Sequence, residues 1–247
     1  MRGIKVLILL LVITTAVIKS YAEEKSPADE KKWKDEAEFS FVNTSGNTDI
    51  TTLAGTNLLS YQFTEKSKGF WKIGALYGKQ SGETTAERYY TDLRFDHLIS
   101  DRLYSYGLGG WLRDPFAGFE DRYYVGPGVG YKFLIGPKHF LVGEAGLSYA
   151  SEDYTDGTDE AFIEGRAFGK YEYAFIEKSK FSQSLEFLYD FEDSDNYKVN
   201  SETALISALN NHLSLKVSYN VNYNNRPRPS TLDKTDTILG AAIVVSF

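Results

Sequence analysis

The chain has 247 residues, no Cys, 15% aromatic residues and a formal net charge of -7. That length fits one large domain; the lack of Cys excludes disulfides, thiolate metal sites and a catalytic thiol, and the lack of any basic run excludes nucleic acid as a partner. A mean hydropathy of -0.34 argues against a helical membrane protein, but not against a membrane barrel, in which only alternate residues meet lipid.

Residues 1–22 read as a cleaved export signal. Arg2 and Lys5 precede an apolar run over 6–18, too short to span a bilayer comfortably, and Ser20 and Ala22 supply the small residues a signal peptidase reads. Removing Arg2, Lys5 and Lys19 changes the net charge from -7 by -3, to -10. Residues 23–33 are polar, mixed in charge and contain Pro27, as in a flexible periplasmic tail.

From there the chain repeats one unit: an alternating run, then turn residues. Twelve runs are predicted, at 35–44, 49–63, 69–79, 88–99, 103–113, 122–134, 139–150, 160–173, 181–191, 197–209, 212–224 and 234–247. Each is long enough to cross a bilayer at a tilt. The alternation is cleanest in 88–99, where Tyr89, Thr91, Leu93, Phe95 and His97 oppose Arg88, Tyr90, Asp92, Arg94 and Asp96. The runs at 49–63 and 103–113 do not declare which face is outside.

Two features separate a membrane barrel from a soluble β-sandwich. The connections alternate between tight turns and longer loops at 80–87, 114–121, 151–159, 192–196 and 225–233, the short turn at 45–48 being the exception. Aromatic residues also collect near the run ends: Tyr77, Tyr123, Tyr149, Tyr189 and Tyr223 toward the long loops, Trp71, Tyr131, Phe133, Tyr173, Phe181 and Phe247 toward the short turns. Rings of that kind prefer the two membrane interfaces. The expectation is an all-β, antiparallel up-and-down transmembrane β-barrel of about 12 strands over 34–247, in the bacterial outer membrane. An even strand number puts both ends at the periplasmic side and lets the last strand close on the first.

Five stretches resemble the family of salt-induced outer-membrane proteins, YdiY-like, a domain of unknown function. They are Thr44-Ser45-Gly46-Asn47-Thr48, Arg88-Tyr89-Tyr90-Thr91-Asp92, Ser100-Asp101-Arg102-Leu103-Tyr104, the run from Arg113 through Asp114-Pro115-Phe116-Ala117-Gly118 to Arg122, and Gly126-Pro127-Gly128-Val129-Gly130-Tyr131. The resemblance implies an outer-membrane barrel and an assembly machinery that reads the C-terminal strand. It brings no catalytic residues.

Chemistry is sparse. His97, His139 and His212 fall at the periplasmic ends of their runs, the wrong end for a base acting on outer-leaflet substrates, and no two have metal-ligand spacing. Asp92 and Asp96 share a face, but Arg94 lies between them. Gly126 to Gly130 is not followed by a helix, so it is not a phosphate loop; its alternate glycines let neighbouring groups approach closely. The segment from Asp153 to Asp159 is oxygen-rich but lacks the spacing of a calcium hand. No cofactor or metal is expected. Glu83, Glu87, Glu120, Asp121, Glu152, Asp153, Asp156, Asp159, Glu192, Asp193 and Asp195 are expected to form an acidic outer rim.

The expected function is non-enzymatic: a narrow channel for ions or small solutes, or a blocked barrel serving envelope integrity under osmotic stress. The alternative is an outer-membrane enzyme acting on lipid or peptide. Lumen-lining candidates are Arg88, Asp92, Arg94, Arg122, Lys132, Glu144, Glu164, Arg166, Lys170, Glu186 and Lys216. Phe247, Val245 and Ile243 form the expected C-terminal assembly signal. Expected partners are outer-membrane lipid, lipopolysaccharide and the assembly machinery; the oligomeric state is left open.

Overall fold

The computed structural model describes residues 32–44, 50–176 and 178–247. The expected leader, most of the tail and the first hairpin turn lie outside the described residues. Twelve strands form one closed antiparallel barrel in simple up-and-down order. They are β1 (Trp33–Thr44), β2 (Ile50–Gln62), β3 (Ser67–Gln80), β4 (Glu83–Leu98), β5 (Leu103–Asp114), β6 (Phe119–Ile135), β7 (His139–Tyr154), β8 (Asp159–Ile176), β9 (Ser179–Asp190), β10 (Tyr197–Ala208), β11 (Leu213–Asn224) and β12 (Thr235–Ser246).

Alternation decides the faces. Large apolar side chains at every second position stay exposed on the outside: Leu93 and Phe95 on β4, Leu147 and Tyr149 on β7, Leu185 and Phe187 on β9, Leu239 and Ile243 on β12. Their neighbours in sequence turn inward, as the pleat requires. The two ambiguous runs resolve through their partners. Tyr104 and Tyr106 of β5 stand opposite Gly130 and Gly128 of β6 and point inward, while Trp111, opposite Tyr123, points outward. On β2, Leu53, Tyr61 and the adjoining Phe63 are the exposed set.

The strands on one side are longer than predicted. β6, β7 and β8 have 17, 16 and 18 residues, against 12 in β9 to β12. The predicted long loop at 80–87 is instead the two-residue turn Ser81–Gly82, because Glu83 to Glu87 continue β4. Both turn residues have positive φ, 51° and 94°, the conformation that matches strand twist across a two-residue hairpin. The sequence suggested a loop because this part of the strand is polar on both faces.

At the long-loop end, a 3-10 turn at Pro115–Ala117 is capped by Asp114, whose Oδ1 accepts the Ala117 N–H at 3.0 Å. Residues 225–234 fold back against it. Asn225 N–H donates to Tyr197 O at 3.0 Å, and Arg226 pairs with Glu160 at 3.0 Å and with Asp193 at 2.5 Å. Arg228 also binds Glu160. Gly118, at φ 94°, closes the packing: a Cβ there would lie 1.9 Å from Arg228 O and 3.0 Å from Leu232 Cδ1. Gly118→Ala is therefore expected to cost about 1 kcal/mol in backbone strain and to lift this loop off the turn. Faster thermolysin cleavage at Leu232 checks it; an unchanged rate would show that the loop is held without Gly118.

Candidate functional site

The inward face of β4 to β10 carries a charged partition in two tiers. The lower tier is built on Glu144 of β7. Glu144 accepts from Arg94 of β4 at 2.7 Å, from Arg166 of β8 at 2.8 Å and from the Tyr104 hydroxyl of β5 at 2.6 Å. Arg94 also binds Asp96 at 2.6 Å, and Arg166 binds Glu186 of β9 at 2.7 Å. Asn200 of β10 donates to Glu186 at 3.1 Å, and the Tyr106 hydroxyl meets Arg166 at 2.9 Å. The Arg94 guanidinium lies 4.5 Å from the Tyr106 ring centroid, so the ring covers one of its faces while its edges bond the carboxylates.

The upper tier is built on Glu152, which is 0% exposed, and Glu164, at 2%. Arg122 of β6 binds both, Glu164 at 2.8 Å. Lys198 of β10 reaches Glu152 at 2.8 Å, and the Tyr154 hydroxyl donates to it at 2.6 Å. Asp190 accepts from Asn196 at 3.0 Å beside them. Phe119 and Phe162 flank the Lys198 ammonium at 5.7 and 5.5 Å. Charges this deep are tolerated only when paired and hydrogen-bonded: Glu144 and Glu152 each meet two cations, and Glu164 takes both of its bonds from Arg122.

Three glycines make room for the tyrosines. A Cβ on Gly128 would stand 2.2 Å from the Tyr106 ring, one on Gly130 2.1 Å from the Tyr104 ring, and one on Gly146 2.6 Å from the Tyr106 hydroxyl oxygen. The alternate glycines after Pro127 and before Tyr131 are the floor on which the two rings lie.

All the lumen candidates fall on the inward face. Arg94, Arg122, Glu144, Glu164, Arg166 and Glu186 come together in the tiers. Asp92 instead accepts from the Tyr124 hydroxyl, and Arg88 stands 3.7 Å from Asp114. Lys132 lies near the Tyr104 ring, and Lys170 pairs with Glu172 at 2.9 Å. Lys216 is on the opposite wall, between Glu38 at 3.1 Å and Glu202 at 3.3 Å. Glu152 corrects the expected acidic rim: it is not in a loop but on β7, in phase with Glu144 and Ser148. Lys198, Asn196, Asp190, Tyr104 and Tyr106 were also missed. Continuing the period-two count through 151–154 and 197–202, and matching the glycines of β6 to the tyrosines of β5, was the available signal.

The rim that remains is partly paired. Glu120 binds Arg113 at 2.7 Å, and Asp121 accepts from Trp111 at 2.7 Å. In the 155–158 turn, the hydroxyl and N–H of Thr158 hold the Asp156 carboxyl below the usual carboxylate range. No three His, Asp or Glu among the described residues converge as a metal set. His97 meets Ser67 at 3.0 Å, His139 meets the Tyr171 hydroxyl at 2.8 Å and His212 meets Ser246 O at 3.1 Å, all at the short-turn end and far apart in the wall.

Residues 37–247 match the family described as "Protein of unknown function, DUF481". The chain belongs to the DUF481 family. Its relative in Escherichia coli K12, the "Uncharacterized protein YdiY", is 30% identical over 211 residues, 85% of this chain and 82% of that protein. The DUF481 barrel also resembles solved outer-membrane barrels. The translocator domain of the autotransporter NalP from Neisseria meningitidis superposes with a TM-score of 0.53 at 13% identity, covering 90% of each chain. An outer-membrane channel from Pseudomonas putida F1 gives 0.53 at 12% identity, covering 87% of this chain and 94% of that one. At such identities the likeness is one of fold: this DUF481 protein is a membrane-type β-barrel.

Proposed function

We propose that this DUF481 protein is a non-enzymatic outer-membrane barrel that conducts ions or small solutes through one half of its lumen. The observation that carries the reading is the one-sided packing of the interior. Inward residues of β4 to β10 hold the two tiers and most of the buried side chains, including Tyr104, Arg122, Glu144, Glu152, Glu164, Arg166 and Lys198. Many inward residues of β1, β2, β11 and β12, among them Ser40, Thr52, Ala54, Ser218, Gly240 and Ala242, are small and remain partly exposed, and the larger Lys216 is held against this wall by Glu38 and Glu202. Barrels of about eight strands are filled by side chains and those of 16 to 18 leave a channel. Twelve strands with a partition on one side support a bore on the other.

In this reading residues 1–22 are the export signal, the short-turn end faces the periplasm, and the outward faces meet outer-membrane lipid and lipopolysaccharide. The separate wall contacts of the three imidazoles support a non-catalytic role. Purified protein in planar bilayers is expected to give small, uniform conductance steps; a folded protein that gives none would sink the channel reading.

The C-terminal strand is proposed as the assembly signal. Phe247, Val245 and Ile243 point outward, and Phe247 exchanges backbone hydrogen bonds with Asp35, N–H to O at 3.0 Å, at the closing seam. Deleting Phe247 is expected to reduce folded barrel in cells several-fold while barely changing the urea midpoint of the barrel that does fold. Equal yields of heat-modifiable protein with and without Phe247 would count against the signal.

A further inference from the structure

The β1–β12 seam is joined differently from the rest of the wall. Its ladder runs only from Glu36 opposite Ser246 to Phe39 opposite Ile243. The β4–β5 ladder, by comparison, runs from Tyr89 opposite Arg113 to Leu98 opposite Tyr104. Above Phe39, Ser40 to Thr44 pair with β2 alone, and Ile238 to Ala242 with β11 alone. Among the described residues, the facing edges of β1 and β12 have no ladder partners in their long-loop halves.

Unpaired strand edges cannot face hydrocarbon, where each unsatisfied group costs several kcal/mol; they persist where they line a water-filled cavity. The channel reading places such a cavity here. Behind the split lie Ser40, Thr52, Ala54, Ser218, Gly240 and Ala242, the small, partly exposed residues of the open half-lumen. A Cβ on Gly240 would touch only Ser218 Oγ, at 3.9 Å. The lips outside are apolar: Phe41 is 56% exposed and Leu239 75%. Below the split, Lys216 of β11 reaches past β12 to Glu38 of β1 at 3.1 Å while also holding Glu202 of β10 at 3.3 Å. That strap fixes the lower half of the seam and defines where the opening begins.

We propose that the split is a lateral exit, through which the lumen delivers elongated apolar or single-chain amphiphilic solutes into the outer leaflet. Two strand edges with no ladder between them part without breaking a backbone hydrogen bond, and a slit between strands favours an elongated chain over a bulky solute. The gap joins water on its lumen side to lipid on its outer side, the two surroundings such a solute exchanges. The inference rests on the channel reading above and adds its substrate class and route.

The native chain has no Cys, which makes the seam directly addressable. Nitroxides placed by Phe41→Cys with Ala241→Cys are expected to be farther apart, in reconstituted barrel, than those placed by Phe39→Cys with Ile243→Cys. The second measurement uses the outward pair Phe41→Cys with Ala241→Cys left unlabelled, which continues the paired register, bridges the split when oxidised and stands outside the lumen. In cells, the barrel is expected to speed uptake of the single-chain fluorescent dye cis-parinaric acid. Oxidising the Cys pair should return uptake to the rate of cells lacking the barrel, and dithiothreitol should restore it, with the conductance steps kept throughout. Equal nitroxide distances at the two levels overturn the lateral exit. So does dye uptake indifferent to the disulfide while conductance persists. Absence of conductance in the unlocked protein instead overturns the channel reading on which the exit depends.

Discussion

Glu152→Ala is expected to lower the unfolding free energy of the barrel by about 3–5 kcal/mol, the range for removing one partner from a buried ion pair. Glu152 is fully buried and meets Arg122, Lys198 and the Tyr154 hydroxyl. Alanine deletes the carboxylate and leaves Lys198 without an acidic partner and Arg122 with only Glu164. The loss comes from a stranded Lys198, an Arg122 left with one carboxylate and an orphaned hydroxyl, so it exceeds the modest net contribution of the intact pairs. Lys34–Glu36 is the control: at 2.7 Å it has equally good geometry, but Lys34 is 59% exposed, and exposed pairs contribute about 0–1 kcal/mol. Urea titration in lipid vesicles, read by heat-modifiable mobility, compares Glu152→Ala with Glu36→Ala. A Glu152→Ala loss no larger than that of Glu36→Ala would mean that water reaches the upper tier.

The second large effect is on conductance. Replacing Arg94, Glu144, Arg166 and Glu186 together by Ala removes two cations and two anions, so the lumen charge is unchanged while the lower tier disappears. The single variants leave a buried charge unpaired and are expected to unfold more easily; the fourfold variant avoids most of that penalty. Its unit conductance is expected to be at least roughly double that of the parent, because the filled side of the lumen becomes bore. An unchanged step size would show that the narrowest point lies elsewhere, with the 225–234 loop the next place to probe.

Much of the fold was readable because a barrel writes itself in period two. The β4, β9, β11 and β12 faces follow from alternation alone. Closure follows from an even strand number and an apolar C-terminal strand. Strand ends were less readable. Above the apolar band, the outward side chains of β6 to β8 turn polar, as at Asp121, Ser151 and Asp153, and hydropathy no longer separates strand from loop. That is why Glu152 was placed in a loop and the Ser81–Gly82 turn was drawn too long. The site divided in the same way. Arg94, Arg122, Glu144, Glu164, Arg166 and Glu186 were recognisable as inward charges, but their partners were not, since Arg94 and Glu144 are 50 residues apart and meet only through registers across three ladders. The tyrosines were hidden for another reason: an aromatic residue reads as outward-facing until the glycine opposite it is recognised as its bed.

The unequal strand lengths shape what an approaching macromolecule meets. β8 has 18 residues and β11 and β12 have 12 each. At the long-loop end β8 continues five residues past its last pair with β9, Glu164 opposite Asp190; at about 3.4 Å each, tilted as barrel strands are, they raise that side by about 12 Å. The mouth is therefore cut obliquely. In the orientation proposed above, the half-collar of β5 to β8, faced with Arg113, Glu120, Asp121 and Asp153, would stand among the sugars of the cell surface, with the seam side ending near the lipid headgroups. Antibodies and phage fibres would encounter the collar first, and the open half of the lumen would lie in its lee.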